Sequence, residues 1–140
     1  LITPNLPEAE VLTGLSIGDE AAMQKALPAL LQTGPEAVLL KGGHLSSGQS
    51  PDLFYSQETP EPVRIDSERI DTPNTHGTGC TLSSAIAAYR AHGYAAETAV
   101  KHAKTYMTEA LRAGAPLSIG KGQGPVHHFY AYWSATPENT

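Results

Sequence analysis

Ala37-Val38-Leu39-Leu40 is a run of four apolar residues, bracketed by Gly34-Pro35 and Gly42-Gly43. It is too short for a helix and is punctuated on both sides, which predicts a buried strand. Side chains alternate across a strand, so both faces of this one are apolar and both need cover. Helical patterns supply it. Met23, Ala26, Leu27, Leu30 and Leu31 recur at helical spacing and predict an amphipathic helix over 19–32, with Ser16 and Asp19 as its capping signal. Pro28 lies inside that pattern and is expected to kink or split it. Earlier, 1–3 reads as the end of a strand, and a short helix over 7–13 is closed by Gly14. Later, 52–56 and 62–65 read as weaker strands joined by a turn at 57–61, a hairpin. Leu82, Ala85, Ile86 and Tyr89 mark a helix that stops at Gly93. Ala99, Ala103, Tyr106, Met107 and Ala110 mark another that ends at Gly114, with Glu97 and Lys101 paired along it. A Gly-rich loop (120–124), an aromatic run (127–133) and a polar tail (134–140) complete the chain. This alternation of helices and short apolar strands predicts an α/β sandwich with a largely parallel sheet.

The length of 140 residues fits one domain. Nine Lys and Arg against 14 Asp and Glu leave a net charge of −5, which argues against a broad electrostatic grip on nucleic acid. No stretch approaches the roughly 20 apolar residues that cross a membrane. The single cysteine, Cys80, has no internal disulfide partner and points to a reducing compartment, so a cytoplasmic location is expected.

Three segments carry chemistry. The first is His76-Gly77-Thr78-Gly79-Cys80, which opens a helix. Its glycines allow tight turning and close ligand approach. The first N–H groups of a helix lack internal partners and, with the helix dipole, make an anion site. Thr78 adds a hydroxyl donor, and a thiol at a helix start is more reactive than a buried one. These parts suit phosphoryl transfer. The bland alternative is a Gly-rich helix start with Cys80 packed as a small hydrophobe. The second segment, Asn5-Leu6-Pro7-Glu8, places two hard oxygen donors at a strand end, where they suit Mg²⁺ or its water shell. Taken alone, the segment is explained more simply by helix capping, with Asn5 or Glu8 satisfying the short helix. The third, Lys41-Gly42-Gly43-His44, follows a strand directly, so Lys41 either meets a phosphate or sits solvated in a turn.

Two motif-like runs are set aside. Residues 43–50 nearly match a P-loop, but Gln49 stands where lysine is required. Gly77-Thr78-Gly79 lacks the third glycine of a dinucleotide fingerprint, because residue 82 is Leu. His127 and His128 are adjacent and make poor metal geometry, and Lys101 and Lys104 by default belong to a solvated helix face.

Residues 3–10, 41–44 and 74–81 occur in an order and spacing that, together with Gly120-Lys121-Gly122-Gln123-Gly124-Pro125-Val126-His127-His128-Phe129, strongly resemble the hydroxymethylpyrimidine/phosphomethylpyrimidine kinases of thiamine biosynthesis, members of the ribokinase-like superfamily. The resemblance runs from Leu1 to about Trp133. It implies a ribokinase-like three-layer α/β sandwich, with 1–133 as its C-terminal nucleotide-binding and catalytic half and 134–140 as a tail. It implies transfer of the ATP γ-phosphate to a hydroxymethylpyrimidine and then to its monophosphate. By position, Cys80 is the catalytic base, and the amides of Gly77, Thr78, Gly79 and Cys80 form the anion hole. Asn5 and Glu8 organise Mg²⁺ and phosphates. Lys41, with Gly43 beside it, contacts the nucleotide phosphates, Lys104 approaches them, and His76 faces the substrate. ATP and Mg²⁺ are the implied cofactors, and a homodimer the implied state of the full-length enzyme. Family members are longer, with the additional part ahead of Leu1, so this chain alone is expected to be weakly active or inactive. A pyridoxal-type kinase and a non-catalytic nucleotide-binding half that needs a partner are the competing readings.

Overall fold

The computed structural model describes residues 1–43, 51–59 and 61–133. Seven elements follow in order: α1 (Leu6–Thr13), α2 (Glu20–Gln32), β1 (Ala37–Lys41), β2 (Asp52–Ser56), β3 (Val63–Ile65), α3 (Thr78–Ala91) and α4 (Ala96–Gly114). The tail, His44 and most of the P-loop-like run lie outside the described residues.

The sheet has the order β1-β2-β3, and both neighbouring pairs are antiparallel. Lys41 faces Asp52, and Asp52 in turn faces Ile65. The hairpin of β2 and β3 is as expected. The largely parallel sheet is not: beside β1 only the first residues pair in parallel, with Ile2 opposite Val38 and Asn5 opposite Lys41, and the other parallel bridge among the described residues, His76 with Pro125, lies outside the three strands. Ile2 N–H donates to Ala37 O at 3.1 Å, and Lys41 N–H to Pro4 O at 2.9 Å. The reason lies in the connection. Strands β1 and β2 are separated only by 42–51, and a parallel crossover needs about a dozen residues or more.

Strand alternation sorts the apolar side chains into two cores. Ala37, Leu39, Phe54 and Ile65 pack against α3 and α4 through Leu82, Ile86, Val100, Ala103 and Met107. Val38, Leu40 and Leu53 pack on the opposite face against α1 and α2 through Leu6, Met23, Leu27 and Leu30. The result is three layers, as the doubly apolar β1 demands.

Pro28 does not split α2, which runs unbroken through it. Both Pro28 and Gln24 are exposed, so the carbonyl that loses its partner at residue 24 is on the water side, while Leu27 and Leu30 are buried. Packing of one face outweighs the break on the other. Nor is Ser16 the cap of α2; Asp19 is, its Oδ1 accepting from Ala22 N–H at 2.7 Å. The expected Glu97–Lys101 pair on α4 is present at 2.5 Å. Trp133, in the aromatic run, is exposed and its ring stacks on Phe129.

Candidate active site

The first residues and β1 end side by side, and β2 begins opposite them, so one edge of the sheet gathers Asn5, Lys41 and Asp52. On the α3/α4 face of that edge lies a cavity of about 540 Å³. Asn5, Lys41, Gly43, Thr78, Gly79 and Lys104 all line it, six residues that the sequence placed in three separate segments and a helix.

Helix α3 begins at this cavity because Gly77 turns the chain into it with φ of +79°, a conformation that costs other residues energy. No side chain caps this helix. Thr78 N–H reaches Thr75 O only at 3.4 Å, and Thr81 N–H closes the first turn onto Gly77 O at 2.8 Å. Among the described residues, the amides of Gly77, Gly79 and Cys80 have no acceptor. Three open N–H groups at the positive end of a 14-residue helix make a cradle that could receive an anion. Cys80 stands in that first turn and is exposed, which removes the reading of it as a packed hydrophobe. The Lys41 ammonium completes the cradle: a Cβ placed on Gly79 would stand 3.6 Å from Lys41 Nζ.

Buried polar contacts hold this loop in place. Asn74 is buried, and its Nδ2 donates to Gly114 O at 2.8 Å and to Leu117 O at 2.7 Å. His76 N–H donates to Gly124 O at 3.1 Å. Gly124 must be glycine, since a Cβ there would fall 1.9 Å from Asn74 Oδ1. The Gly-rich loop thus helps to hold in place the segment that opens α3.

The other expected site residues are placed differently. Asn5 and Glu8 form a reciprocal cap on α1: Asn5 Oδ1 accepts from Glu8 N–H, and Glu8 Oε2 accepts from Asn5 N–H, each at 2.8 Å. Asn5 still reaches the cavity, whereas Glu8 lines a separate groove with Ile2, Pro7 and Val11. His76 is exposed and does not line the cavity. His128 Nε2 lies 3.0 Å from Thr81 Oγ1, and the His127 ring packs edge-on against Trp133, so both histidines are engaged in structure. Lys104 is not solvated; its Nζ lies 2.5 Å from Asp52 Oδ2 at the cavity wall. Asp52 was missed in the sequence. The available signal was a charged residue opening the apolar strand Asp52-Leu53-Phe54, in register with Lys41.

Among the described residues no helix is long and apolar enough to cross a membrane, and no group of three or more His, Cys, Asp or Glu side chains converges as a metal cage.

Comparison with known proteins agrees with this geometry. The family model described as phosphomethylpyrimidine kinase matches residues 1–127. The hydroxymethylpyrimidine/phosphomethylpyrimidine kinase of Rhizobium meliloti is 50% identical over 134 residues, covering 95% of this chain and 50% of that protein. The structure of Staphylococcus aureus pyridoxal kinase in complex with AMP-PCP superposes with a TM-score of 0.85 at 31% identity, covering 94% of this chain and 48% of that one. The phosphomethylpyrimidine kinase of Clostridium difficile is 41% identical with a TM-score of 0.64, over 78% of this chain and 42% of that one. The chain spans about half the length of the curated relatives it matches.

Proposed function

The chain belongs to the phosphomethylpyrimidine kinase family and carries part of its ribokinase-like α/β fold, and from that premise we propose that it forms the nucleotide-binding and catalytic part of a kinase that phosphorylates 4-amino-5-hydroxymethyl-2-methylpyrimidine and then its monophosphate. In this reading 1–133 is the C-terminal half of the kinase domain, the full-length enzyme is a cytoplasmic homodimer, and ATP is the phosphoryl donor. The single observation that supports it most is the set of unbonded amides of Gly77, Gly79 and Cys80, beside a cavity lined by Lys41 and Lys104.

Each group then has a task. Lys41 and Lys104 attract and hold the nucleotide phosphates. Cys80 Sγ takes the proton of the acceptor hydroxymethyl group as its oxygen attacks the γ-phosphorus. The bond from that phosphorus to the β,γ-bridging oxygen breaks, and ADP leaves. The open amides, with Thr78 Oγ1, face charge that grows on the transferring group, and such donors act most where they are fixed beforehand. The Mg²⁺ that accompanies ATP takes hard oxygen ligands and keeps much of its water shell. Asn5 Oδ1, which lines the cavity, fits that chemistry through water, since it already accepts from a backbone amide, and Glu8, in the separate groove, holds Asn5 through the reciprocal cap. His76 stands on the acceptor side of this arrangement.

The test is ADP release from Mg-ATP by the complete polypeptide that the gene encodes, with the hydroxymethylpyrimidine or pyridoxal as acceptor. Release is expected with the pyrimidine and to be faster than with pyridoxal. Faster turnover of pyridoxal would overturn the substrate assignment, and no acceptor-dependent release would overturn the kinase reading. Cys80→Ala should lower kcat by about 10²–10⁴ with little change in the KM for ATP.

A further inference from the structure

Asp52 is 1% exposed, yet nothing in the catalytic scheme uses it. Its position follows from register. It faces Lys41 across β1 and β2 and therefore shares the α3/α4 face of the sheet. Both of its carboxylate oxygens are engaged. Oδ1 accepts from Gly42 N–H at 3.0 Å, and Oδ2 accepts from Lys104 Nζ. Gly42 belongs to the turn that follows Lys41, and it packs so tightly against the start of β2 that a Cβ would fall 2.0 Å from Pro51 O. Lys104 comes from α4, on the other side of the cavity, and its side chain is only 15% exposed. Asp52, Lys41 and Lys104 all line that cavity.

A buried carboxylate is costly unless it is paired and hydrogen-bonded, and a buried ammonium left without its partner is costly too. Apolar side chains would fill this position with less demand on geometry. What the carboxylate adds is a fixed link between two segments far apart in the sequence, the turn at the end of β1 and the middle of α4. It also sets a negative charge in the wall of a cavity that carries two lysines, Lys41 and Lys104.

We propose that Asp52 is a positioning residue that holds Lys104 and the Lys41–Gly43 turn as one preorganised unit for the phosphate chain of the bound nucleotide. This rests on the kinase reading of the cavity. Lys104 offers three donors and Asp52 occupies one, leaving others for phosphate oxygens. In Asp52→Asn the amide oxygen still accepts from Gly42, but the amide NH₂ confronts the ammonium, donor against donor. Lys104 is then pushed from its place without any change in volume.

The experiment uses the complete polypeptide that the gene encodes and measures the affinities of Mg-ADP and of adenosine for the unsubstituted chain, for Asp52→Asn, for Lys104→Met and for the double variant, with thermal unfolding of each. Asp52→Asn should weaken ADP about tenfold and leave adenosine unchanged, and should have no further effect once Lys104 is Met. Unchanged or tighter ADP binding, equal losses for ADP and adenosine, or additive losses in the double variant would each overturn the proposal. If the unsubstituted chain binds no nucleotide, the kinase reading falls as well; if it binds and Asp52→Asn is silent, only this inference falls. Should Asp52→Asn not fold, the Gly42 amide resonance serves instead. ADP is expected to shift it in the unsubstituted chain and not in Lys104→Met, and a shift that survives the lysine's removal would refute the link.

Discussion

Gly79 leaves empty a position where a methyl group would stand 3.6 Å from Lys41 Nζ, at the centre of the anion cradle. That distance is ordinary contact with the mobile end of a side chain, so the fold should accept Gly79→Ala, and a helix interior favours Ala over Gly by up to about 1 kcal/mol. The methyl group would nevertheless occupy the approach to the open amides. Gly79→Ala is therefore expected to keep or raise the unfolding midpoint while weakening Mg-ADP by about tenfold or more, as read by titration calorimetry. Gly77, Gly79 and Cys80 were legible as a cradle because two glycines at a helix start have few other uses. Asn74 and Asp52 were not legible as site residues. Their roles depend on carbonyls and amines contributed by residues 40 to 52 positions away, which no local pattern reveals.

At the scale of elements, local signals located most boundaries. Asp19 opens α2, Gly14 closes α1 with φ of +71°, and Gly114 ends α4. Pro28 is where local reasoning and packing part. Its ring interrupts α2 on the solvent side, so Pro28→Ala should restore a backbone hydrogen bond to residue 24 without disturbing either core. The expected gain is about 1–3 kcal/mol in denaturant unfolding, and an unchanged midpoint would mean that the interrupted turn carries no cost. Sheet direction was the other divergence. Each strand was visible from its own residues, whereas parallel or antiparallel pairing is set by the path of the connection between strands.

For the molecule as a whole, the segment after α4 folds back over both helices. His127 N–H donates to Ala110 O at 3.0 Å, and Tyr106 OH donates to His128 O at 3.0 Å. The Tyr106 and Tyr130 rings pack at a tilt with centroids 5.8 Å apart, and burial raises both phenols above the ordinary tyrosine range, with neighbouring ionisable groups adding to the shift. The neutral phenol is thus favoured in the folded state. The associated stability is complete below the unfolded value, about pH 10, and is lost as pH rises through the raised folded values. An alkaline absorbance titration should show late-ionising tyrosines, a phase that shrinks in Tyr106→Phe, with thermal stability falling over the same range.

The layered α/β character, the strand β1 buried on both faces, the helix that carries Cys80 and the family were determined by the residues in order, because spacing and turn chemistry act over a few positions. The tertiary structure alone decided that β1 and β2 run antiparallel, that Pro28 is carried inside a continuous helix, and that Glu8 caps α1 while lining a different groove from Asn5. It also decided that Asp52 joins Lys104 to the Lys41 turn, since charge pairs and cavity walls arise only where distant segments converge, and their convergence is fixed by the packing of two cores on one sheet.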